Sequence, residues 1–258
     1  MKKVIFIGAG NVATHLAKAM KDAGYGILQV YSRTTDSAQT LADALRCEVA
    51  ERIEQVVDSA DLYVFALKDD ALADVIAQMP SNKGLWVHTS GSLPLSVFEG
   101  FAERYGVIYP LQTFSKDREV AFSEVPLLVE GSSREVDGEL MEIAGSLSRS
   151  VSRMSSGERQ YLHLAAVFAC NFVNSMYSLA SHILEKQGID RHLLRPLVDE
   201  TARKFFDLYP RSAQTGPAVR NDRDVINRHL ALIGDPEIQE IYSLITRIIQ
   251  NTYSYDKL

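Results

Sequence analysis

Five short apolar runs, KVIFIG, ILQVYS, CEVA, DLYVFAL and GLWVHTS, alternate with helix-patterned segments through the first half of this 258-residue chain. Each run is nearly continuous in its hydrophobicity, as strands covered on both faces of a parallel sheet must be. Between them NVATHLAKAMKDAG, TDSAQTLADALR and DDALADVIAQMP read as helices. The predicted fold is therefore α/β, a doubly wound sheet. YGVIYP, VPLLVEG and SVSRM extend the sheet to about residue 154, and there the strand signal stops. Residues 156–187, 190–208, 222–233 and 236–252 read as helices, with Asp222 and Asp235 as N-caps and Pro236 in a favoured first-turn position. The expected division is a sheet domain over 1–154 and an all-helical domain over 155–258.

The first strand ends in Gly8-Ala9-Gly10-Asn11-Val12-Ala13 and passes straight into a helix. Strand, Gly-x-Gly-x-x-Ala, helix is the context of a Rossmann dinucleotide site. Gly8 permits the tight turn, Gly10 lets backbone approach phosphate, and Ala13 keeps the helix close to the strand. The helix N-terminus supplies N–H groups and positive dipole. Gly8, Ala9, Gly10, Asn11 and Val12 are thus candidate cofactor contacts. The end of the second strand selects the nucleotide. A carboxylate there would bind a free ribose hydroxyl. This chain has Ser32, Arg33 and Thr34, and no carboxylate before Asp36. A planar guanidinium flanked by hydroxyls suits a 2′-phosphate, so NADP(H) is the expected cofactor.

Ligands in such sheets bind outside the carboxyl ends of strands, which adds ALKDDAL (66–72) and HTSGS (88–92). Ala66, Leu67, Lys68, His88 and Thr89 are candidate cofactor contacts, and Ser90 a candidate substrate contact. Lys68 reads equally as a surface lysine before a helix cap. His88, Thr89 and Ser90 read equally as a turn in which Gly91 supplies a positive φ.

A formal charge of -6 argues against a nucleic-acid partner. Cys47 and Cys170 lie too far apart to suggest a metal site and read as buried thiols in a reducing compartment. Residues 1–7 enter a strand directly, so no signal peptide and a cytoplasmic location are expected. The stretch 162–184 has no Lys, Arg, Asp or Glu and is long enough to span a bilayer. It carries His163, Asn171, Asn174 and His182, costly groups at membrane depth, so a buried soluble helix is the expectation.

His163, Asn171, Asn174, Ser178 and His182 recur near the helical period and form a polar stripe without charges. Such a stripe suits a cleft or another subunit; satisfied core groups are the alternative. In TGPAVRNDRDVINRHL (215–230), Arg220 and Asp222 are candidate substrate contacts on a loop, or a solvated neighbour and its helix cap.

GAGNVATHLA, YSRT, HTSGS, YPLQTFS, HLAAVFACNF and GPAVRND together resemble the Rossmann-like oxidoreductases whose C-terminal half is the domain of unknown function 2520. More distant resemblance extends to pyrroline-5-carboxylate reductases, ketopantoate reductases, deazaflavin-dependent NADP oxidoreductases and β-hydroxyacid dehydrogenases. The resemblance implies a helical domain of the 6-phosphogluconate-dehydrogenase C-terminal type. It also implies hydride transfer between NADP(H) and a small carbonyl or imine compound, usually in a dimer. In β-hydroxyacid dehydrogenases and ketopantoate reductases a catalytic lysine precedes an asparagine by one helical turn. If Asn171 matches that asparagine, the lysine position here is Val167. His163 lies one further turn back and titrates near neutrality.

The expected activity is an NADP(H)-dependent reductase or dehydrogenase for a small polar substrate, carboxylated or not, in an interdomain cleft. Asn171 would orient the substrate, His163 exchange the proton and Arg220 hold an anionic group, with Asn174 beside them. The missing lysine leaves open a dinucleotide-binding sensor or scaffold without turnover. No metal is expected, and a homodimer through the helical domain is.

Overall fold

The structure is a computed structural model that describes residues 1–254. It divides into two compact units, Met1–Met176 and Tyr177–Leu258. The division falls inside the long helix rather than at residue 154, because the first turns of that helix are fastened to the sheet.

In the first unit β1 (Lys3–Ile7), α1 (Asn11–Asp22), β2 (Gly26–Tyr31), α2 (Thr35–Leu45) and β3 (Glu48–Ala50) form one half of the sheet. The other half is built from β4 (Leu62–Phe65), α3 (Asp69–Ile76), β5 (Leu85–His88), β6 (Tyr105–Pro110), β7 (Leu127–Gly131), α4 (Arg134–Leu147) and β8 (Val151–Arg153). The strand order is β3-β2-β1-β4-β5-β6-β7-β8. β1 to β6 run parallel; β7 reverses against β6 and carries β8 parallel to itself. Alternation along β1 shows why the strands are apolar throughout. Val4 and Phe6 pack with α1, α2 and α4 on one face, while Ile5 and Ile7 join Tyr63, Phe65, Trp86 and Phe98 on the other.

The order reverses between β1 and β4, the switch point outside whose carboxyl ends ligands collect in such sheets. The turns after β1, β2, β4, β5 and β6 all lie on that edge.

The long helix is not one continuous α-helix. α5 (Ser156–Ala166) begins with a Ser155–Glu158 capping box, passes through a π-helical stretch at Val167–Phe172 and continues as α6 (Val173–Glu185). Nor is it buried. Leu164, Phe168 and Phe172 are each at least half exposed, and Cys170 is exposed too, contrary to expectation. Burial in the single chain is confined to Arg159, at the end that meets the sheet. By length and composition alone, Ser156–Glu185 could cross a membrane, and it is the one such helix among the described residues.

The second unit holds α7 (Arg195–Asp207), α8 (Pro210–Ala213), α9 (Arg223–Leu232) and α10 (Pro236–Ser254), with no strand among its described residues. Asp222 caps α9 by accepting from Val225 N–H, and Asp235 caps α10 through Glu237 N–H, as their sequence contexts predict.

Candidate functional site

The β1–α1 turn has the shape the glycines imply. Gly8 sits at φ +118°, and a Cβ there would overlap the carbonyl oxygen of Ala66 at the end of β4. Gly10 is the N-cap of α1, makes no side-chain cap bond and has nothing within 4 Å of the place a Cβ would occupy. The first turn of this twelve-residue helix thus has no capping side chain on its N–H groups among the described residues, as an anion site requires. Ala9 is buried, Val12 half-buried and Asn11 exposed, so Ala9 and Val12 can offer only backbone. The Asn11 amide is already occupied: it donates to Phe114 O at 2.8 Å, while His15 Nε2 lies 2.9 Å from Ser115 O and its ring stacks on Phe114. These bonds tie the loop after β6 to α1. Pairs so distant in sequence carry no local signal.

At the end of β2, Ser32 is half-buried while Arg33 and Thr34 are exposed. Arg33 makes no ion pair among the described residues, and Thr34, the N-cap of α2, makes no side-chain cap bond. A free guanidinium, two hydroxyls and no carboxylate fit a ribose 2′-phosphate.

The neighbouring strand ends are more structural than expected. Ala66 and Leu67 line the turn, and Lys68 is the backbone N-cap of α3. Asp69, in the first turn of α3, takes the Ser92 hydroxyl. His88 is fully buried, so its ring supports the loop instead of offering a surface to a nucleotide. Its Nδ1 accepts from Ser90 N–H at 3.2 Å, and its Nε2 has no hydrogen-bond partner among the described residues. Burial above all, then the nearby Arg159 cation, pushes its pKa down to about 4, so the ring is neutral. Thr89 is buried and donates its N–H to Phe65 O. Ser90 Oγ accepts from Ser92 and Leu93 N–H, closing the turn.

Gly91 has no positive φ. It is glycine for space: a Cβ there would stand 2.6 Å from His163 Nδ1 and 2.9 Å from Tyr109 Cζ. His163 is half-buried over this loop, with its Nδ1 2.9 Å from the Tyr109 hydroxyl at the end of β6. The two rings meet edge-on at 77°. One turn before His163, Arg159 is 1% exposed and donates to Glu130 Oε2 on β7 at 2.7 Å and to Leu93 O at 2.6 Å. Gln160 donates to Ser92 O, and Ser156 Oγ to Glu130. Burial alone would raise the Glu130 carboxyl, but hydrogen bonds from Ser156 and Arg159 hold it below the usual carboxylate range. Tyr109, Arg159 and Glu130 escaped the sequence reading, although YPLQTFS contains the aromatic and GERQYLH a lone arginine on the apolar side.

Asn171 lies in the π-helical stretch and Asn174 in the first turn of α6, both exposed. Eight residues of pure α-helix overrun two turns by about 80°. The wider turns over Val167–Phe172 absorb part of that overrun and bring Asn171 closer to the His163 face. Arg220 and Asp222 belong to the second unit. Arg220 is exposed; Asp222 is half-buried and capping α9. No cluster of potential metal ligands occurs among the described residues.

Residues 3–87 match the family described as NADP oxidoreductase coenzyme F420-dependent, and residues 125–249 match the domain of unknown function DUF2520. Among solved structures, a Bacteroides fragilis protein described as an NADP oxidoreductase is 45% identical with a TM-score of 0.91, over 97% of this chain and 98% of that one. The Aspergillus terreus reductive aminase, solved with NADPH and ethyl-5-oxohexanoate, is 18% identical with a TM-score of 0.73, over 99% of both chains. The 1-pyrroline-5-carboxylate reductase of Streptococcus pyogenes is 15% identical with a TM-score of 0.63, over 98% of both. No curated protein matches the sequence.

Proposed function

This chain belongs to the NADP oxidoreductases that join a coenzyme F420-dependent-type nucleotide-binding half to a DUF2520 half, with NADP(H) as cofactor, and we propose that it reduces a small polar carbonyl or imine compound. The observation that carries this reading is the placement of His163. It stands over the carboxyl ends of β5 and β6, on the sheet edge that carries the Gly8–Gly10 turn. Gly8, Gly10 and the α1 N–H groups would hold the pyrophosphate, with Ser32, Arg33 and Thr34 on the 2′-phosphate. When bound, the nicotinamide supplies a hydride to the substrate carbon. His163 would give its Nε2 proton to the carbonyl oxygen or imine nitrogen while its Nδ1 takes the proton of the Tyr109 hydroxyl 2.9 Å away, so the ring stays neutral and the phenol regains its proton from solvent after product leaves. Asn171 and Asn174 orient the polar end of the substrate.

The reading includes a soluble, cytoplasmic homodimer. Leu164, Phe168 and Phe172 in the first unit, and Leu244, Ile245 and Ile248 in the second, are too exposed for a lone chain in water. A second copy is the occupant that the commonest closed symmetry supplies.

The test is NADPH consumption with a panel of cyclic imines and small oxo compounds, in wild type and His163→Asn. A general acid contributes about two to four decades in rate. The variant should lose turnover on that scale while NADPH affinity, measured by fluorescence titration, stays unchanged. Unaltered turnover would remove His163 from the mechanism. NADPH binding without turnover on any compound would favour the sensor.

A further inference from the structure

We propose that Tyr109 is a positioning residue that holds His163 in the tautomer carrying its proton on Nε2. This rests on the reading of His163 as the proton donor.

The argument is one of hydrogen-bond supply. Tyr109 is only 9% exposed, and its hydroxyl makes one hydrogen bond among the described residues, to His163 Nδ1 at 2.9 Å. A buried phenol must give its proton to something. Burial also raises its pKa, so the proton is present at neutral pH. His163 Nδ1 is the acceptor within reach, so Tyr109 Oη–H donates and Nδ1 accepts. The neutral ring then carries its proton on Nε2. The opposite arrangement, Nδ1–H donating to Oη, would leave the phenol proton without an acceptor in a nearly closed site.

Gly91 supplies the second observation. Its missing side chain lets the loop after β5 lie against both rings at once, closing the space in which imidazole or phenol could turn away. Arg159 and its bonds to Glu130 and Leu93 fix the helix turn that carries His163. The ring is therefore constrained from its own helix, from the loop and from β6. The other titrating or charged groups packed around this pair are Arg159 on the same helix, Glu130 from β7, His88 from β5 and Cys170 further along the helix. None of them is changed by the variants below.

The test uses the full chain, labelled with 15N at histidine, in wild type, Tyr109→Phe and Gly91→Ala. His163→Asn serves to assign the resonances. In the neutral ring, wild-type His163 should show one hydrogen-bearing nitrogen, Nε2, and one acceptor nitrogen, Nδ1, well separated in shift. Tyr109→Phe keeps the ring but removes the donor, so the two shifts should move together. Gly91→Ala forces the pair apart without deleting either group and should give the same signature. With any substrate that turns over, kcat for Tyr109→Phe should fall about tenfold or more with NADPH affinity unchanged. A wild-type 15N pattern in Tyr109→Phe would overturn the proposal. That readout requires no turnover, so it is separate from the failure of His163→Asn to affect rate, which would overturn the proton-donor role instead.

Discussion

Arg159 Nη1 donates to Glu130 Oε2 at 2.7 Å, a pair in which the arginine is buried and the carboxylate 20% exposed and which fastens the long helix to β7. The same guanidinium reaches Leu93 O and Ser156 Oγ, so one side chain ties together a helix, a strand and the loop under His163. Arg159→Met keeps the bulk but leaves the Glu130 carboxylate without its cation. Breaking one side of a buried pair costs about 3–5 kcal/mol. Urea denaturation should show that loss as a lower midpoint. A midpoint equal to wild type would mean that the packing of the helix, and not this pair, holds it in place.

His88 makes stability depend on acidity. Its folded pKa of about 4 lies below the ordinary 6.5, because burial disfavours the charged ring. The unfolded chain therefore binds the proton first. The contribution of His88 is complete above about pH 6.5 and is lost progressively as pH falls towards 4, amounting to roughly 3 kcal/mol. Glu130, held below the usual carboxylate range, loses its contribution at still lower pH. His88→Asn presents an oxygen to Ser90 N–H without titrating. The difference in unfolding free energy between wild type and this variant should shrink from pH 7 to pH 4; a constant difference would show that the ring does not titrate on unfolding.

The sheet was legible because its signals are local. An apolar run announces a strand, and Gly8 and Gly10 announce the turn. What surrounds His163 was not legible, since Tyr109, Gly91, Arg159 and Glu130 come together only in the fold. Gly91 illustrates the difficulty. A glycine in HTSGS suggests a positive φ, whereas its function is to make room for two rings supplied by β6 and α5. The polar stripe was drawn on a regular 3.6-residue period, and the π-helical stretch at Val167–Phe172 changes its phase halfway. Likewise, the apolar composition of 162–184 suggested burial. Composition could not reveal that one chain alone leaves Phe168 62% exposed.

Cofactor choice should rest on Arg33. It faces solvent without a competing carboxylate, and removing one charge-assisted contact costs roughly 1.5–3 kcal/mol. Arg33→Ala should weaken NADPH by about one to two decades in calorimetric titration and leave NADH nearly unchanged. Equal wild-type affinities for the two nucleotides would remove the 2′-phosphate from this site.

The exposed helix face gives the last prediction. Leu164, Phe168 and Phe172 follow one another along Ser156–Glu185 at 53%, 62% and 50% exposure, and Phe168 and Phe172 meet edge-on. A patch of this kind associates with something, because leaving large apolar side chains in water forfeits roughly 1.5–3 kcal/mol for each. A lipid bilayer could cover it, since the helix has the length to span one. A second copy is favoured by His163 and His182, which a bilayer core would penalise. Sedimentation equilibrium at micromolar concentration should give twice the 28.7 kDa of one chain. Phe168→Glu should shift that equilibrium towards monomer without detergent. Wild type that sediments as a monomer, or co-floats with neutral vesicles, would show that the face is not covered by another copy of this chain.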